Sequence, residues 1–243
     1  MGIRQVGMVI GLLALLSMTG TVRADDAAIR TAGPVLLVGD SMMRSLERSL
    51  TRALARMDLE VHASSSIGTG LARLDIYDWP TELASLAAAH EARTVFIMIG
   101  ANDNQPMQTG GGVVPHGSDL WQTEYGRRVG KTMDAVLEAG AERIVWIGLP
   151  CMREAALDAD IRGINAIVYR QAAARPRVHF IETYERFSRN GAFSPYIILD
   201  NGMPLNIRAR DGIHLSRPGS DHLAGILIDE LNARLRAASP PDA

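Results

Sequence analysis

The sequence predicts a single α/β domain with a doubly wound parallel sheet. Two observations predict it: five short apolar runs, and helix-like segments that alternate with them along the 243-residue chain. Runs that are apolar on both faces are typical of parallel strands covered by helices on both sides. We see no linker and no internal repeat, so we expect one domain over residues 25–243, with its core at about 32–238.

The predicted elements follow one another in a regular order. Strands are predicted at Val35–Val38, Leu59–Ala63, Val95–Ile99, Ile144–Leu149 and Val178–Ile181. Helices are predicted at Met42–Met57, Thr81–His90, Trp121–Ala139, Asp158–Ala174 and Pro218–Ala237. Leucines at four-residue spacing support the first helix. Pro80 supports the start of the second helix and Gly140 the end of the third. Asp200-Asn201-Gly202 lies between two apolar runs, which indicates a short hairpin before the last helix.

Composition and charge exclude several classes of protein. Hydrophobic residues make up 47% of the chain and charged residues 21%, which is an ordinary globular balance. The 25 basic and 27 acidic residues leave a formal charge of −2, so we expect no nucleic-acid partner. Cys151 is the one cysteine, which excludes an internal disulfide and a zinc site built from cysteines.

The first 24 residues have the pattern of a secretory signal peptide. Arg4 provides the positive charge, and Val6–Met18 is an apolar run too short for a membrane span. We predict cleavage after Ala24, and hence a periplasmic or secreted protein without stable membrane insertion. The alternative is that the segment stays as an uncleaved N-terminal anchor.

Residues whose side chains could take part in a reaction lie where predicted strands end, which is where open α/β sheets bind ligands. Ser41, in Gly39-Asp40-Ser41, follows the first strand, where it is either a nucleophile or part of a helix cap. Asn102 follows the third strand and is either an oxyanion donor or a turn residue. Asp211 and His214 precede the last helix, and there an aspartate can orient a histidine that acts as general base.

Ser41, Asn102, Asp211 and His214, in this order along the chain, resemble the motifs of the SGNH (GDSL-type) hydrolase superfamily. The resemblance implies a flavodoxin-like three-layer α/β/α sandwich with a five-stranded parallel sheet. It implies that Ser41 is the nucleophile of a Ser-His-Asp triad completed by His214 and Asp211. It also implies an oxyanion hole formed by Ser41, Asn102 and a glycine, and a reaction that needs no metal and no cofactor.

That glycine belongs to the second motif of the family, for which the sequence offers two candidates. Gly70 is preferred because Leu71-Ala72-Arg73 and Tyr77-Asp78-Trp79-Pro80 follow it, a pattern similar to an exported bacterial subgroup of the superfamily. Gly68 is the alternative. Met42 follows Gly-Asp-Ser where many members have leucine, which weakens any inference toward lipid substrates.

The resemblance and the predicted export together imply an esterase of the carboxylesterase or acetylesterase type. The expected substrate is a small-molecule or polysaccharide ester, with O-acetyl groups of an envelope polysaccharide foremost. Two alternatives stay open. One is an O-acyltransferase with the same triad, and the other is a non-catalytic envelope-binding protein on the same fold.

Overall fold

The computed structural model describes residues 33–238. Within these residues the strands are β1 (Val35–Gly39), β2 (Val61–Ser65), β3 (Thr94–Met98), β4 (Met107–Thr109), β5 (Gly112–Val114), β6 (Arg143–Ile147), β7 (Val178–Ile181), β8 (Tyr196–Ile198) and β9 (Pro204–Asn206). The helices are α1 (Ser41–Ala55), α2 (Trp79–Ala89), α3 (Asp119–Glu138), α4 (Ala155–Ala173) and α5 (Arg217–Ala238), with a 3₁₀ turn at Leu71–Arg73.

The central sheet is parallel, and its strand order is β2-β1-β3-β6-β7. Helix α1 packs on α5, while α2, α3 and α4 pack on one another in turn, which gives a helical layer on each face of the sheet. Every residue of β1 and β3 is buried, because both strands lie inside the sheet and are covered on both faces. The predicted three-layer α/β/α sandwich with a five-stranded parallel sheet is therefore confirmed.

Helix α1 shows how local sequence fixes an element that carries a candidate site residue. The side chain of Asp40 caps the helix by accepting a hydrogen bond from the Met42 N–H. Leu46, Leu50 and Leu54 are fully buried, so the four-residue spacing in the sequence marks the face that packs on the sheet. The cap places Ser41 at the first position of the helix, directly after β1.

Several element boundaries and one connection differ from the sequence expectation. Helix α4, for example, begins at Ala155 rather than at Asp158. The second strand begins at Val61 rather than Leu59, because Leu59 packs into the core from the turn that precedes the strand. The connection after β3 contains the small β4–β5 hairpin, which the sequence analysis did not predict. The hairpin predicted around Asp200-Asn201-Gly202 is present as β8 and β9.

The predicted signal peptide, with its cleavage site after Ala24, lies outside the described residues. Of the helices in the described part of the chain, none combines the length and the apolar character needed to cross a membrane.

Gly39 allows β1 and β3 to approach each other at the end of the first strand. A Cβ at this position would lie 2.1 Å from the Met98 carbonyl oxygen and 2.7 Å from Met43 Cβ. We expect Gly39→Ala to lower the free energy of unfolding by about 1–3 kcal/mol, because the strands must move apart to admit the methyl group. Urea unfolding of the variant and the parent protein checks this.

The matched control for this substitution is Gly225→Ala in α5. No atom lies within 4 Å of a Cβ built there, so alanine is expected to leave stability unchanged or to raise it by up to about 1 kcal/mol. Equal unfolding midpoints for the two variants would contradict the tight approach at Gly39.

Candidate active site

The carboxyl edge of the sheet brings together side chains that are distant in sequence. Ser41 follows β1, and His214 lies in the loop between β9 and α5. His214 Nε2 is 2.8 Å from Ser41 Oγ, although 173 positions separate the two residues. The structure therefore joins the two motifs that the sequence analysis treated as parts of one site.

Asp211 completes a hydrogen-bonded row with these two residues. Its Oδ2 is 2.7 Å from His214 Nδ1, while its Oδ1 accepts the N–H groups of Ile213 and His214 at 2.8 and 3.0 Å. A carboxylate only accepts hydrogen bonds, so it selects the tautomer of His214 that is protonated on Nδ1. His214 Nε2 is then free to accept the proton of the Ser41 hydroxyl.

The ionisation of Asp211 is set by two opposing effects. Partial burial raises the pKa of the carboxyl group, but the hydrogen bonds from the His214 ring and from the two backbone N–H groups outweigh it. The net result is a pKa of about 2 for Asp211. The group is therefore a carboxylate at neutral pH.

Asn102 lies at the same edge of the sheet, in the turn after β3. Its Nδ2 donates a hydrogen bond to the Thr69 carbonyl oxygen at 2.9 Å and lies 3.5 Å from Asp40 Oδ2. Asn102 is thus packed against the peptide bond that links Thr69 and Gly70. Two of the predicted oxyanion donors, Asn102 and Gly70, are neighbours in the structure.

The two candidate glycines of the second motif lie in different surroundings. Gly70 is buried, and a Cβ there would lie 2.0 Å from Asp103 Oδ1. Gly68 lies in an exposed turn with φ of +76°, and no atom approaches its Cβ position within 4 Å. Packing therefore favours Gly70 over Gly68 as the residue that faces Asn102.

Asp40 does more than cap α1. Its Oδ2 accepts the N–H groups of Gly100 and Ala101, at 3.0 and 3.2 Å, and so ties the end of β1 to the turn after β3. Complete burial raises the pKa of Asp40 to about 7, against the lowering effect of the backbone hydrogen bonds from Met42 and Gly100. The sequence predicts the helix cap, but it does not predict the hydrogen bonds between Asp40 and the turn after β3, because Gly100 lies sixty residues away.

Asp103 and Arg128 hold the 3₁₀ turn that follows Gly70, and no local sequence pattern predicts either role. Asp103 is buried and accepts the N–H groups of Leu71 and Ala72, at 3.0 and 2.7 Å, and the hydroxyl of Tyr125 at 2.7 Å. Arg128, also buried, donates to the carbonyl oxygens of Leu71 and Ala72 at 3.0 and 2.8 Å. Desolvation raises the pKa of Asp103. The N–H and carbonyl groups of both Leu71 and Ala72 are therefore held by hydrogen bonds.

Arg208 supports the loop that carries Asp211 and His214. Its guanidinium is buried, donates to the Ile213 carbonyl oxygen at 2.9 Å, and also donates to the Cys151 carbonyl oxygen. Cys151 is itself fully buried, and its thiol donates to the Phe187 carbonyl oxygen at 3.1 Å. Cys151 therefore serves packing.

The chemistry available at this site is that of an activated alcohol. Within residues 33–238, no group of three or more His, Cys, Asp or Glu side chains is placed to hold a metal ion. A hydroxyl, an imidazole and a carboxylate in a hydrogen-bonded row can deliver a serine oxygen to a carbonyl carbon. Fixed amide N–H donors beside the hydroxyl can stabilise the negative charge that develops on the carbonyl oxygen.

Comparison with known proteins identifies one family. Residues 34–230 match the family model described as "Protein of unknown function (DUF459)". A comparison with the curated proteins finds no match.

Solved structures with the same architecture belong to SGNH and GDSL-type proteins. A protein from Slackia heliotrinireducens assigned to the SGNH hydrolases is 20% identical, with a TM-score of 0.55 over 82% of this chain and 98% of its own. The acetylxylan esterase Axe2 of Geobacillus stearothermophilus is 13% identical, with a TM-score of 0.54 over 82% and 94%. A protein from Parabacteroides merdae assigned as a GDSL-like lipase is 13% identical, with a TM-score of 0.53 over 83% and 96%. At these identities the likeness shows the fold, which is the one that the sequence motifs predicted.

The hydroxyl of Tyr125 is the side-chain donor to the buried Asp103 carboxylate. Tyr125→Phe removes this donor, and we expect the free energy of unfolding to fall by about 1–3 kcal/mol because the buried Asp103 Oδ2 loses one of its two donors and keeps the Leu71 N–H. Tyr169→Phe is the control, since Tyr169 is 59% exposed and a change there is expected to stay within about 0.5 kcal/mol. Urea unfolding measures both, and equal values would contradict the role assigned to the Tyr125 hydroxyl.

Proposed function

This chain belongs to the DUF459 family and has the SGNH hydrolase fold, and on that premise we propose that it is an exported serine esterase acting on short-chain carboxylic esters. The observation that carries the proposal is the row from Ser41 Oγ to His214 Nε2 to Asp211, with contacts of 2.8 and 2.7 Å. This row favours an enzyme over a non-catalytic envelope-binding protein, because binding alone gives no reason to align a base with a hydroxyl.

The first half of the proposed reaction acylates the serine. Ser41 Oγ attacks the ester carbonyl carbon while His214 Nε2 takes the hydroxyl proton. Asp211 stays ionised and stabilises the imidazolium that forms. The carbonyl oxygen becomes an oxyanion, for which the proposed donors are the N–H groups of Ser41 and Gly70 and the amide of Asn102.

The second half releases the acyl group. The first half ends when the His214 imidazolium protonates the leaving alcohol, which departs and leaves the acyl-enzyme; in the second half the neutral imidazole removes a proton from water, which attacks the acyl-enzyme. The proton taken from water returns to Ser41 Oγ as the acid product leaves. A sugar hydroxyl in place of water would turn the same cycle into acyl transfer.

The proposed substrate is an O-acetyl group of an envelope polysaccharide. Two considerations support it: the secretory pattern of residues 1–24, and the presence of the same fold in an enzyme that is named an acetylxylan esterase. Export would bring the site to the periplasm or beyond, where such esters occur on polymers. The proposal requires no cofactor and no nucleic-acid partner.

Loss of the Ser41 hydroxyl tests the proposal directly. The assay uses protein that comprises residues 25–243. The rate of p-nitrophenyl acetate hydrolysis is expected to fall by at least about 10³-fold in Ser41→Ala. A fluorophosphonate should label the parent protein but not the variant. Ser45→Ala, one turn further along α1, is the control and should keep the activity within about twofold, since its hydroxyl bonds to the Met42 carbonyl oxygen.

Three results would refute the proposal or favour one of its alternatives. Equal hydrolysis by the parent and Ser41→Ala would refute the mechanism. Acetylated sugar in place of free acetate, in the presence of an acceptor sugar, would favour the acyltransferase. An intact fold that neither hydrolyses esters nor reacts with the fluorophosphonate would favour the envelope-binding protein.

The ionisation of Asp211 leads to a pH prediction. Its pKa of about 2 lies below the ordinary value for aspartate, so the carboxylate is fully ionised from about pH 5 to about pH 9. Asp211→Asn is therefore expected to lower the plateau of kcat/KM, where the general base is unprotonated in both proteins, by about 10³–10⁴-fold. Full pH profiles of kcat/KM for the parent and the variant measure the two plateaus. A plateau that falls by less than about tenfold would contradict the role assigned to the Asp211 carboxylate.

A further inference from the structure

Arg153 is an exposed arginine whose position is fixed without a carboxylate. Its Nη1 donates to the Arg210 carbonyl oxygen at 2.7 Å, and its Cζ lies 5.2 Å from the centre of the Phe193 ring. Its backbone N–H donates to the Gly212 carbonyl oxygen at 3.2 Å. A carbonyl group and an aromatic face order a guanidinium but do not neutralise its charge.

Four other exposed arginines of the described chain form ion pairs: Arg93 with Glu142, Arg127 with Glu124, Arg162 with Asp158 and Arg186 with Glu230. No such pair involves Arg153 within residues 33–238. The guanidinium of Arg153 is thus held in place by a carbonyl oxygen and an aromatic ring, without a carboxylate partner.

The guanidinium of Arg153 lies on the loop of the proposed active site. A Cβ on Gly212 would be 2.8 Å from Arg153 Nε and 2.9 Å from its Cζ. Gly212 has a φ of +78° and directly follows Asp211, two positions before His214. A glycine is needed here both for the backbone conformation and for the space that Arg153 occupies. The cation therefore borders the loop that carries Asp211 and His214.

Neighbouring acids are hydrogen-bonded to other groups and form no ion pair with Arg153. Glu154 lies next in sequence, but its carboxylate accepts the N–H groups of Ala156 and Leu157 at the start of α4. The carboxylate of Asp211 is bound to His214. Within the described residues, the N–H groups of the Arg153 guanidinium therefore have no acidic partner.

We propose that Arg153 binds a carboxylate carried by the substrate beside its ester, so that the preferred substrates are esters of acidic polysaccharides such as uronate polymers. This inference rests on the proposed esterase function. An ordered guanidinium with free N–H groups matches the planar geometry of a carboxylate.

The test compares two acetyl esters that differ in charge. The probes are neutral p-nitrophenyl acetate and anionic 5-acetoxy-2-nitrobenzoate, which places a carboxylate on the leaving group. The measured quantity is the ratio of kcat/KM for the anionic ester to kcat/KM for the neutral one. Arg153→Gln is expected to lower this ratio by about two- to fivefold, as for a partly exposed ion pair. High salt should lower the ratio of the parent protein as well.

The matched control is Arg177→Gln. Arg177 also donates to a backbone carbonyl oxygen, that of Ala141 at 3.2 Å, but it precedes β7 and therefore lies at the opposite edge of the sheet. Its removal should leave the ratio unchanged. General damage to the loop by Arg153→Gln would slow both esters alike, so a reduced rate with an unchanged ratio would overturn the inference.

A binding experiment separates this inference from the proposed function. Calorimetry with an oligogalacturonate measures affinity for Ser41→Ala and for the double variant Ser41→Ala/Arg153→Gln, with no turnover involved. Weaker binding by the double variant is expected, and equal binding would overturn the inference. Arg153-dependent binding by a parent protein that hydrolyses no ester would refute the esterase alone. If the protein hydrolyses esters, but neither the ratio of kcat/KM values nor the affinity for oligogalacturonate depends on Arg153, the acidic subsite alone would be refuted.

Discussion

Burying the carboxylate of Asp40 between β1 and β3 costs free energy, and the backbone of both strand ends is arranged to offset that cost. Met42, Gly100 and Ala101 each donate an N–H group to it. An acceptor with these partners cannot shift without leaving buried donors unpaired. Because Ser41 follows Asp40 in the chain, its hydroxyl has a fixed place relative to the turn that carries Asn102.

The same arrangement recurs at the other loops of the site. Asp103 binds two N–H groups of the turn after Gly70, and Arg208 binds two carbonyl oxygens beside Asp211 and His214. Backbone N–H and C=O groups, rather than counter-ions alone, thus surround the buried titratable groups behind each of the three loops. Dipoles that are already oriented need no rearrangement when charge develops during a reaction, which is the condition for electrostatic catalysis.

The sequence was sufficient to predict the sheet and the position of Ser41 and Asn102 after its strands, because both depend on local patterns. Apolar runs predicted the strands, and the leucine spacing of α1 predicted its buried face. The roles of Asp103, Arg128 and Arg208 could not be predicted. Each joins segments that are distant in sequence. In addition, the local sequence does not show whether an aspartate or an arginine is buried or exposed. The β4–β5 hairpin was missed because its three-residue strands are too short to show an alternating pattern.

The environment of Asp211 bears on how the proposed reaction handles its proton. Both carboxylate oxygens are occupied by donors, Oδ1 by backbone N–H groups and Oδ2 by the imidazole. A pKa of about 2 means that Asp211 binds a proton only weakly, so proton transfer from the imidazolium to this carboxylate is unfavourable. The carboxylate would therefore stay charged while His214 holds the proton of Ser41. It contributes through orientation and charge, and the proton has one productive destination, the leaving alcohol.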